Sequence, residues 1–216
     1  MNKYIAVGNC IIHSKTQICS GAVIGKPYRK FLDGTQEKSL ITRISKDVYI
    51  GYYAIIGTGS RIAMGTIVDD HCIIESRVIV GQKSLITYRA QICNDVKIGD
   101  KCIIGGFIGE RTIIGSNCRV FGNIVHLHHN PSLGWDDDEA TEGAPVIKNH
   151  ACIGFGAIVA GNITIGRKSY ICTGAIVTRN VPDLHVVSGK NKIVHYSKWK
   201  GRLRTSPFFE DNDNNE

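Results

Sequence analysis

The sequence predicts an all-β protein folded as a parallel β-helix, and three observations support this prediction. Ile or Val recurs at every sixth position over most of the chain. A small residue often stands two positions before such an anchor, and glycine often follows it directly. A period of six suits neither an α-helix nor a plain alternating strand, but it suits a triangular coil in which each side is one short strand and one corner.

The anchors form three runs along the chain. The longest run is unbroken and consists of Ile44, Ile50, Ile56, Ile62, Val68, Ile74, Val80, Ile86, Ile92, Ile98 and Ile104. A later run contains Ile147, Ile153, Val159, Ile165, Ile171 and Val177, and a short run at the start contains Ile12, Ile18 and Ile24. Stacked coils place equivalent positions above one another, so these side chains are expected to form the core, with glycine easing the corners.

The period fails in two segments, which are predicted to be external loops within a β-helix domain of residues 1–187. The first, 26–43, is polar, and the second, 122–146, contains three histidines, Trp135 and the acidic run 136–139. Insertions in a solenoid project from one face and often carry function, so the second loop is the expected site. Two residues are also missing between Ile104 and Ile108. Residues 188–216 are predicted to be a C-terminal segment that ends in a disordered tail.

Composition limits the partners and the compartment. The chain has a net charge of +7 and a pI of about 9.0. The basic residues are scattered with few aromatics between them, which favours a phosphorylated ligand over nucleic acid. No apolar run approaches the roughly 18 residues of a membrane span, and no signal peptide is recognised, so no membrane partner is expected. None of the eight cysteines forms a CxxC pair with another. They are predicted to be small buried apolar residues, which indicates a reducing, cytoplasmic location.

The repeat, together with the blocks GAPVIKNHACIGFGAIVAGNITIG and ICTGAIVTRNVP, resembles the hexapeptide-repeat acyltransferases. The similarity is closest to the xenobiotic and sugar O- and N-acetyltransferases. This resemblance implies a left-handed β-helix and a homotrimer whose sites lie between subunits. It also implies transfer of acetyl from acetyl-CoA to an amino or hydroxyl group of a small molecule, with an amino sugar or sugar nucleotide as the first choice.

The resemblance further implies a histidine general base in the second loop, acting directly in a ternary complex. In the family this histidine lies sixteen residues before the Pro of G-x-P-V, a position held here by His129. His126 and His128 stay open as alternatives, and His71 in VDDHCII is a rival outside the loop. Glu142 is the expected supporting carboxylate, one residue from the family position. Imidazole titrates near neutral pH and therefore suits this role.

The resemblance also implies where CoA binds. The backbone N–H of Phe155 is expected to face the thioester carbonyl, where a fixed donor stabilises the oxyanion. Other positions are expected to line the pantetheine groove or to reach the cofactor phosphates, namely Thr173, Thr178, Arg179, Lys190 and Lys192.

Two other functions remain open at this stage. The first is a non-catalytic β-helix that serves as a scaffold. The second is a metalloenzyme like the γ-carbonic anhydrases, with a metal held by His126, His128 and His129. The histidine spacing in this loop differs from the five-residue separation of that class, so no metal is predicted. The acidic run 136–139 is either a solvated loop or an attractor for a cationic amine.

Overall fold

The computed structural model describes residues 3–28, 40–127, 132 and 142–209, which form a left-handed parallel β-helix. Three sheets of nine, eight and ten strands, here named A, B and C, run side by side along the helix axis. The chain visits A, B and C in turn, and each strand up to His185–Ser188 pairs in parallel with its equivalent in a neighbouring coil. The fold predicted from the repeat is confirmed.

The strands are short, mostly of two residues. Sheet A contains Ile5–Ala6, Val23–Lys26, Ile55–Gly57, Ile73–Ile74, Gln91–Ile92, Phe107–Ile108, Asn123–Val125, Ile158–Ala160 and Ile176–Val177. Sheet B contains Asn9–Ile12, Ile41–Ile44, Arg61–Ile62, Ile79–Val80, Lys97–Ile98, Ile113–Ile114, Val146–Ile147 and Thr164–Ile165. Sheet C contains Gln17–Ile18, Tyr49–Ile50, Ile67–Val68, Leu85–Ile86, Ile103–Ile104, Arg119–Val120, Cys152–Ile153, Tyr170–Ile171, His185–Ser188 and Lys192–His195.

The predicted anchors form the core, except that Ile12 in the first run is only partly buried and packs against it. Every residue of the longest run, from Ile44 to Ile104, is at most 3% exposed. The later run, from Ile147 to Val177, is at most 1% exposed. The β-branched side chains stack in register along each sheet, as in the pairing of Ile74 with Ile56 below and Ile92 above. Such side chains fit the pleated surface of a strand, which is why the sequence repeats them.

The corners are named here by the sheets they join: A–B, B–C and C–A. Most have four residues, and the third adopts a left-handed conformation even when it is not glycine, as at Asp47 with φ 58°. The glycines that follow the anchors stand elsewhere in the corner. A Cβ on Gly99 would lie 2.6 Å from the backbone nitrogen of Ser116 in the next coil. These glycines therefore permit close approach between coils, and the expectation that they ease the corner by conformational freedom is corrected.

Both inserted loops leave from the A–B corner. The first joins Val23–Lys26 of sheet A to Ile41–Ile44 of sheet B, and the second joins Asn123–Val125 to Val146–Ile147. The strands therefore extend into both predicted loop segments, because their residues pair with neighbouring coils. Residues 29–39, 128–131 and 133–141 lie outside the described part of the chain.

The two missing residues are explained by short corners. Gly105–Gly106 and then Phe121–Gly122 each join sheet C to sheet A with two residues instead of four. Gly106 has a φ of 79°, and a Cβ there would meet the carbonyl oxygen of Gly122. Two successive coils are therefore tighter than the rest, and their parallel pairing continues across the change.

The C-terminal segment packs on the outside of sheet C. Parallel pairing reaches Val187, and Lys192–His195 then returns antiparallel to His185–Ser188. Three 3-10 turns follow at Tyr196–Lys198, Arg202–Thr205 and Pro207–Phe209. Phe208 meets Tyr170 edge-on at 5.7 Å, and Phe209 is only 5% exposed.

The predicted disordered tail, 210–216, lies outside the described residues, and the domain boundary at 187 stays a prediction. Within the described residues, the structure has no helix whose length and apolar character would let it cross a membrane.

Candidate active site

His126 and Glu142 lie together at the A–B corner from which the second loop leaves. His126 directly follows the strand Asn123–Val125 and is 9% exposed, and Glu142 is 7% exposed. The N–H of Leu127 donates to the carbonyl of Gly143 at 2.9 Å, which joins the two ends of the loop. Two of the residues predicted from sequence are thus brought to one corner by the coil itself.

The ring of His126 packs over Gly109, where the missing side chain leaves space. A Cβ on Gly109, one coil below, would lie 3.2 Å from His126 Nδ1 and 2.8 Å from the carbonyl oxygen of Ile124. Any side chain at position 109 would therefore displace the imidazole or the strand before it. The absence of a Cβ at this position lets the ring pack against the wall of the helix.

A chain of hydrogen bonds runs up the same corner and ends at the loop. The backbone N–H of Ser76 donates to Asn94 Oδ1 at 3.1 Å, and Asn94 Nδ2 donates to Glu110 Oε1 at 2.9 Å. Arg111 Nη1 pairs with Glu110 Oε2 at 3.3 Å, and Arg111 Nε donates to the carbonyl of Glu142 at 3.3 Å. Ser76, Asn94, Glu110 and Arg111 are called the polar ladder below.

Sequence reasoning missed the polar ladder. Its members look like ordinary corner residues, and only the column of polar residues at one corner of successive coils would have marked them. Ser76 and Asn94 are 2% and 3% exposed. Buried polar groups cost stability unless they are hydrogen-bonded, so the ladder satisfies groups that the fold has buried.

Phe155 and Thr173, predicted to bind CoA, lie on the opposite edge of sheet A, at the C–A corner. Phe155 is 66% exposed, and its ring stacks on Phe121 with centroids 4.6 Å apart and planes 14° apart. Thr173 lies in the next coil, where the N–H of Gly174 donates to the carbonyl of Phe155 at 3.0 Å. These two predicted residues are adjacent to each other and separate from His126.

The remaining predicted CoA residues lie near the end of the helix: Thr178 and Arg179 directly follow the last strand of sheet A, and Lys192 begins the last strand of sheet C. Asn191 holds Thr178 twice: its Oδ1 accepts from the backbone N–H of Thr178 at 2.9 Å, and its Nδ2 donates to Thr178 Oγ1 at 2.8 Å. Lys190 bridges to Ile176 of the last strand of sheet A. The exposed basic residues here are Arg179, Lys190 and Lys192. This end of the helix therefore presents three cations around one turn, a suitable surface for phosphate groups.

His71 stands apart from these residues. It lies at a C–A corner in an earlier coil, with its ring stacked on Tyr53 at 5.4 Å and edge-on to Tyr88 at 5.9 Å. The structure therefore does not bring His71 to the loop. His128, His129 and the acidic run 136–139 lie outside the described residues.

Two further chemical features of the described residues concern metal ligands and cysteine nucleophiles. No group of three or more His, Cys, Asp or Glu residues there is arranged to hold a metal ion. Cys93 is the cysteine next to the polar ladder, and burial raises the pKa of its thiol to about 12, with the carboxylates of Glu75 and Glu110 adding to the rise. Since the thiolate is the nucleophilic form, Cys93 is unsuited to form an acyl-enzyme at neutral pH.

The chain resembles curated acetyltransferases in sequence, although no family model matches it. It is 28% identical over 167 residues to the bifunctional protein GlmU of Clostridioides difficile, covering 73% of this chain and 36% of GlmU. It is 38% identical over 81 residues to the serine acetyltransferase of Bacillus subtilis, covering 38% of this chain and 37% of that enzyme. The predicted resemblance to acyltransferases is confirmed.

The chain spans between 36% and 50% of the length of these two relatives and of six further serine acetyltransferases and GlmU proteins that it matches. Among solved structures it is similar to the UDP-N-acetylglucosamine acyltransferase of Arabidopsis, with 14% identity, coverage of 89% of this chain and 72% of that one, and a TM-score of 0.45. It is also similar to LpxA of Acinetobacter baumannii, with 17% identity, coverage of 88% and 72%, and a TM-score of 0.39.

Proposed function

We propose that this chain is an acetyltransferase that moves acetyl from acetyl-CoA to an amino or hydroxyl group of a small molecule. The preferred acceptor is an amino sugar or a sugar nucleotide. Relatives named serine acetyltransferase, 32–38% identical over parts of this chain, make a hydroxyl acceptor such as serine the second choice.

One observation carries the proposal. The β-helix brings His126 and Glu142, both nearly buried, to the root of its second inserted loop. An imidazole is a suitable general base for an attacking amine or hydroxyl, and a carboxylate at the same corner can stabilise its protonated form. The loop sequence also contains His128 and His129, which lie outside the described residues, so the proposed base is one of three histidines.

The proposed reaction is a direct transfer. The histidine accepts the proton of the acceptor while its nitrogen or oxygen attacks the thioester carbonyl. The carbon–sulfur bond then breaks, the acetyl group stays on the acceptor, and the CoA thiolate takes up a proton. The high pKa of the Cys93 thiol agrees with a path that forms no acyl-enzyme.

The proposed CoA site uses the basic cluster and an edge of sheet A. Arg179, Lys190 and Lys192 would bind phosphates, because guanidinium and ammonium groups donate charge-assisted hydrogen bonds to them. Phe155 and Thr173 lie on the other edge of sheet A from His126, so a site using all of them needs the edge of a second copy. We therefore propose a homotrimer with sites between subunits. We also propose that the protein acts in the cytoplasm.

The first experiment measures the thermal midpoint with and without acetyl-CoA, and the release of free CoA with D-glucosamine or L-serine as acceptor. The proteins are the wild type, His126→Ala, His128→Ala, His129→Ala and, as a control at a distant corner, His13→Gln. At a hundred times Kd, binding adds about 2.7 kcal/mol, or roughly 5–11 °C for a chain of this size. Removing the base should lower the transfer rate about a hundredfold or more.

The results separate the parts of the proposal. A raised midpoint in all five proteins, with transfer lost in one loop variant and kept in His13→Gln, supports both the cofactor and the base. An unchanged midpoint in the wild type at saturating acetyl-CoA overturns the acetyltransferase and favours the scaffold.

A further inference from the structure

We infer that Arg111 is a positioning residue that holds the root of the second loop, and with it His126 and Glu142, in the geometry needed for proton transfer. The inference rests on the proposed function, and it adds a residue that neither the repeat nor the family pattern marks. It is carried by the polar ladder at the A–B corner.

Arg111 contacts the loop root directly. Arg111 Nε donates to the carbonyl of Glu142 at 3.3 Å. The next residue, Gly143, accepts from the N–H of Leu127 at 2.9 Å, and Leu127 follows His126. A single backbone hydrogen bond therefore separates the segment held by Arg111 from the residue next to the imidazole.

The polar ladder fixes the orientation of the Arg111 side chain. Its Nη1 pairs with Glu110, whose other oxygen accepts from Asn94, whose own oxygen accepts from the backbone of Ser76. Glu110 directly precedes Arg111 in the same corner, and Asn94 and Ser76 lie in the two preceding coils, so the guanidinium is fixed to the solenoid and not to the loop. Its side chain is 22% exposed, which limits solvent competition for these bonds.

One donor of the Arg111 guanidinium bears on how much this residue stabilises the protein. Arg111 Nη2 is buried and has no hydrogen-bond partner within the described part of the chain. An unsatisfied buried donor reduces stability. This donor reduces the net contribution of Arg111 to stability, while the bonds to Glu110 and to the Glu142 carbonyl still hold the loop root. Gly109, two residues earlier, leaves the space for the His126 ring, so one corner supports both ends of the loop.

Arg77 provides a matched control. It lies at the same A–B corner in an earlier coil, with φ 59° against 60° for Arg111. It forms an ion pair with Asp95, with N–O distances of 2.8 and 2.7 Å. Arg77→Gln and Arg111→Gln therefore remove an arginine and an ion pair from equivalent backbone positions, and only the second removes a bond to Glu142.

The test compares Arg111→Gln, Arg111→Lys and Arg77→Gln with the wild type. Steady-state acetyl transfer is measured from pH 6 to 9 with the acceptor that the wild type uses. The Cε1–H resonance of His126 is followed by NMR and assigned by its loss in His126→Gln. Thermal midpoints with saturating acetyl-CoA show that each variant is folded and binds the cofactor.

The expected result is a fall in kcat of roughly tenfold or more in Arg111→Gln, since small displacements of a catalytic group are costly. The KM for acetyl-CoA should stay within about twofold, as expected when ground-state binding is kept. The pH profile and the His126 resonance should shift, and Arg111→Lys, which keeps one donor, should recover part of kcat. Arg77→Gln should leave kcat and the resonance close to the wild type.

Equal effects of Arg111→Gln and Arg77→Gln on kcat, with an unmoved His126 resonance, would overturn the inference and leave the proposed function intact. If the wild type transfers no acetyl group, the proposed function fails, and the resonance still decides the structural part. A His126 resonance that moves in Arg111→Gln and not in Arg77→Gln supports the positioning role. If Arg111→Gln does not fold, Arg111→Lys is judged by the same criteria.

Discussion

Replacing Ile124 by Ala should impair catalysis far more than replacing Ile50 by Ala, although the two changes should destabilise the protein about equally. Both side chains are 0% exposed. Both occupy interior positions of a core ladder, with one Ile and one Val as neighbours. These neighbours are Ile108 and Val159 for Ile124, and Ile18 and Val68 for Ile50.

The magnitude follows from burial. Truncating a fully buried Ile to Ala costs about 2–5 kcal/mol, the sum of lost transfer energy and the cavity that remains. For a chain of this length each kcal/mol lowers the midpoint by roughly 2–4 °C. A cost of about 3 kcal/mol therefore lowers the midpoint of each variant by roughly 6–12 °C.

The catalytic effects should differ because a solenoid transmits strain mainly between adjacent coils. Ile124 lies two residues before His126, and its carbonyl oxygen lies against Gly109. Ile50 lies several coils away, in sheet C. The assay is acetyl transfer at a temperature about 15 °C below the lower midpoint, with folding checked by circular dichroism. We expect kcat to fall roughly tenfold in Ile124→Ala and less than about twofold in Ile50→Ala.

An equal fall in kcat in both variants would refute this reasoning, because the active corner would then respond to the stability of the whole helix. Unequal midpoints would refute the matching of the two ladder positions.

Three further outcomes are expected. Gly109→Ala should lower kcat and shift the pH profile of transfer, because its Cβ would stand 3.2 Å from His126 Nδ1; an unchanged profile would contradict this packing. Stability should decline at alkaline pH, because burial raises the thiol pKa from 9.0 to about 11 in Cys72 and about 12 in Cys93. The unfolded chain ionises first, so the free energy of unfolding in urea should fall as the pH rises from 9 towards 12, and less steeply in a double Ala variant. Lys190→Gln should weaken acetyl-CoA binding in titration calorimetry at low salt, with a smaller difference at high salt, and a salt-independent difference would exclude a phosphate contact.

The fold follows from the sequence because one physical requirement repeats. Each coil buries its inward side chains only against its neighbours, so Ile or Val recurs at every sixth position, as at Ile56, Ile74 and Ile92. The handedness came from the family resemblance, since the period is the same for either hand. The left-handed conformation of the third corner residue, as at Tyr53, leaves no simple mark in residue type.

The site was only partly predictable. His126 and Glu142 were found because a long insertion interrupts the period before a recognisable block. The polar ladder was not found, because its contacts depend on how the coils are stacked. Asn94 and Glu110 meet across a coil of sixteen residues, shortened from eighteen by the corner Gly105–Gly106. A hydrogen bond of this kind is set by coil length, which residue types alone do not reveal.

Because both loops leave from the A–B corner, the number of coils between them sets the distance between their bases along the helix axis. Four uninterrupted A–B corners separate the loops, at 57–60, 75–78, 93–96 and 109–112. Five steps of about 4.8 Å place the loop bases roughly 24 Å apart along the axis. Deleting one full coil, residues 75–92, would shorten that distance by about 4.8 Å and return every following strand to its own sheet. The distance between the two loop bases therefore changes only in steps of one coil, and adding or removing coils alters this distance without changing either loop.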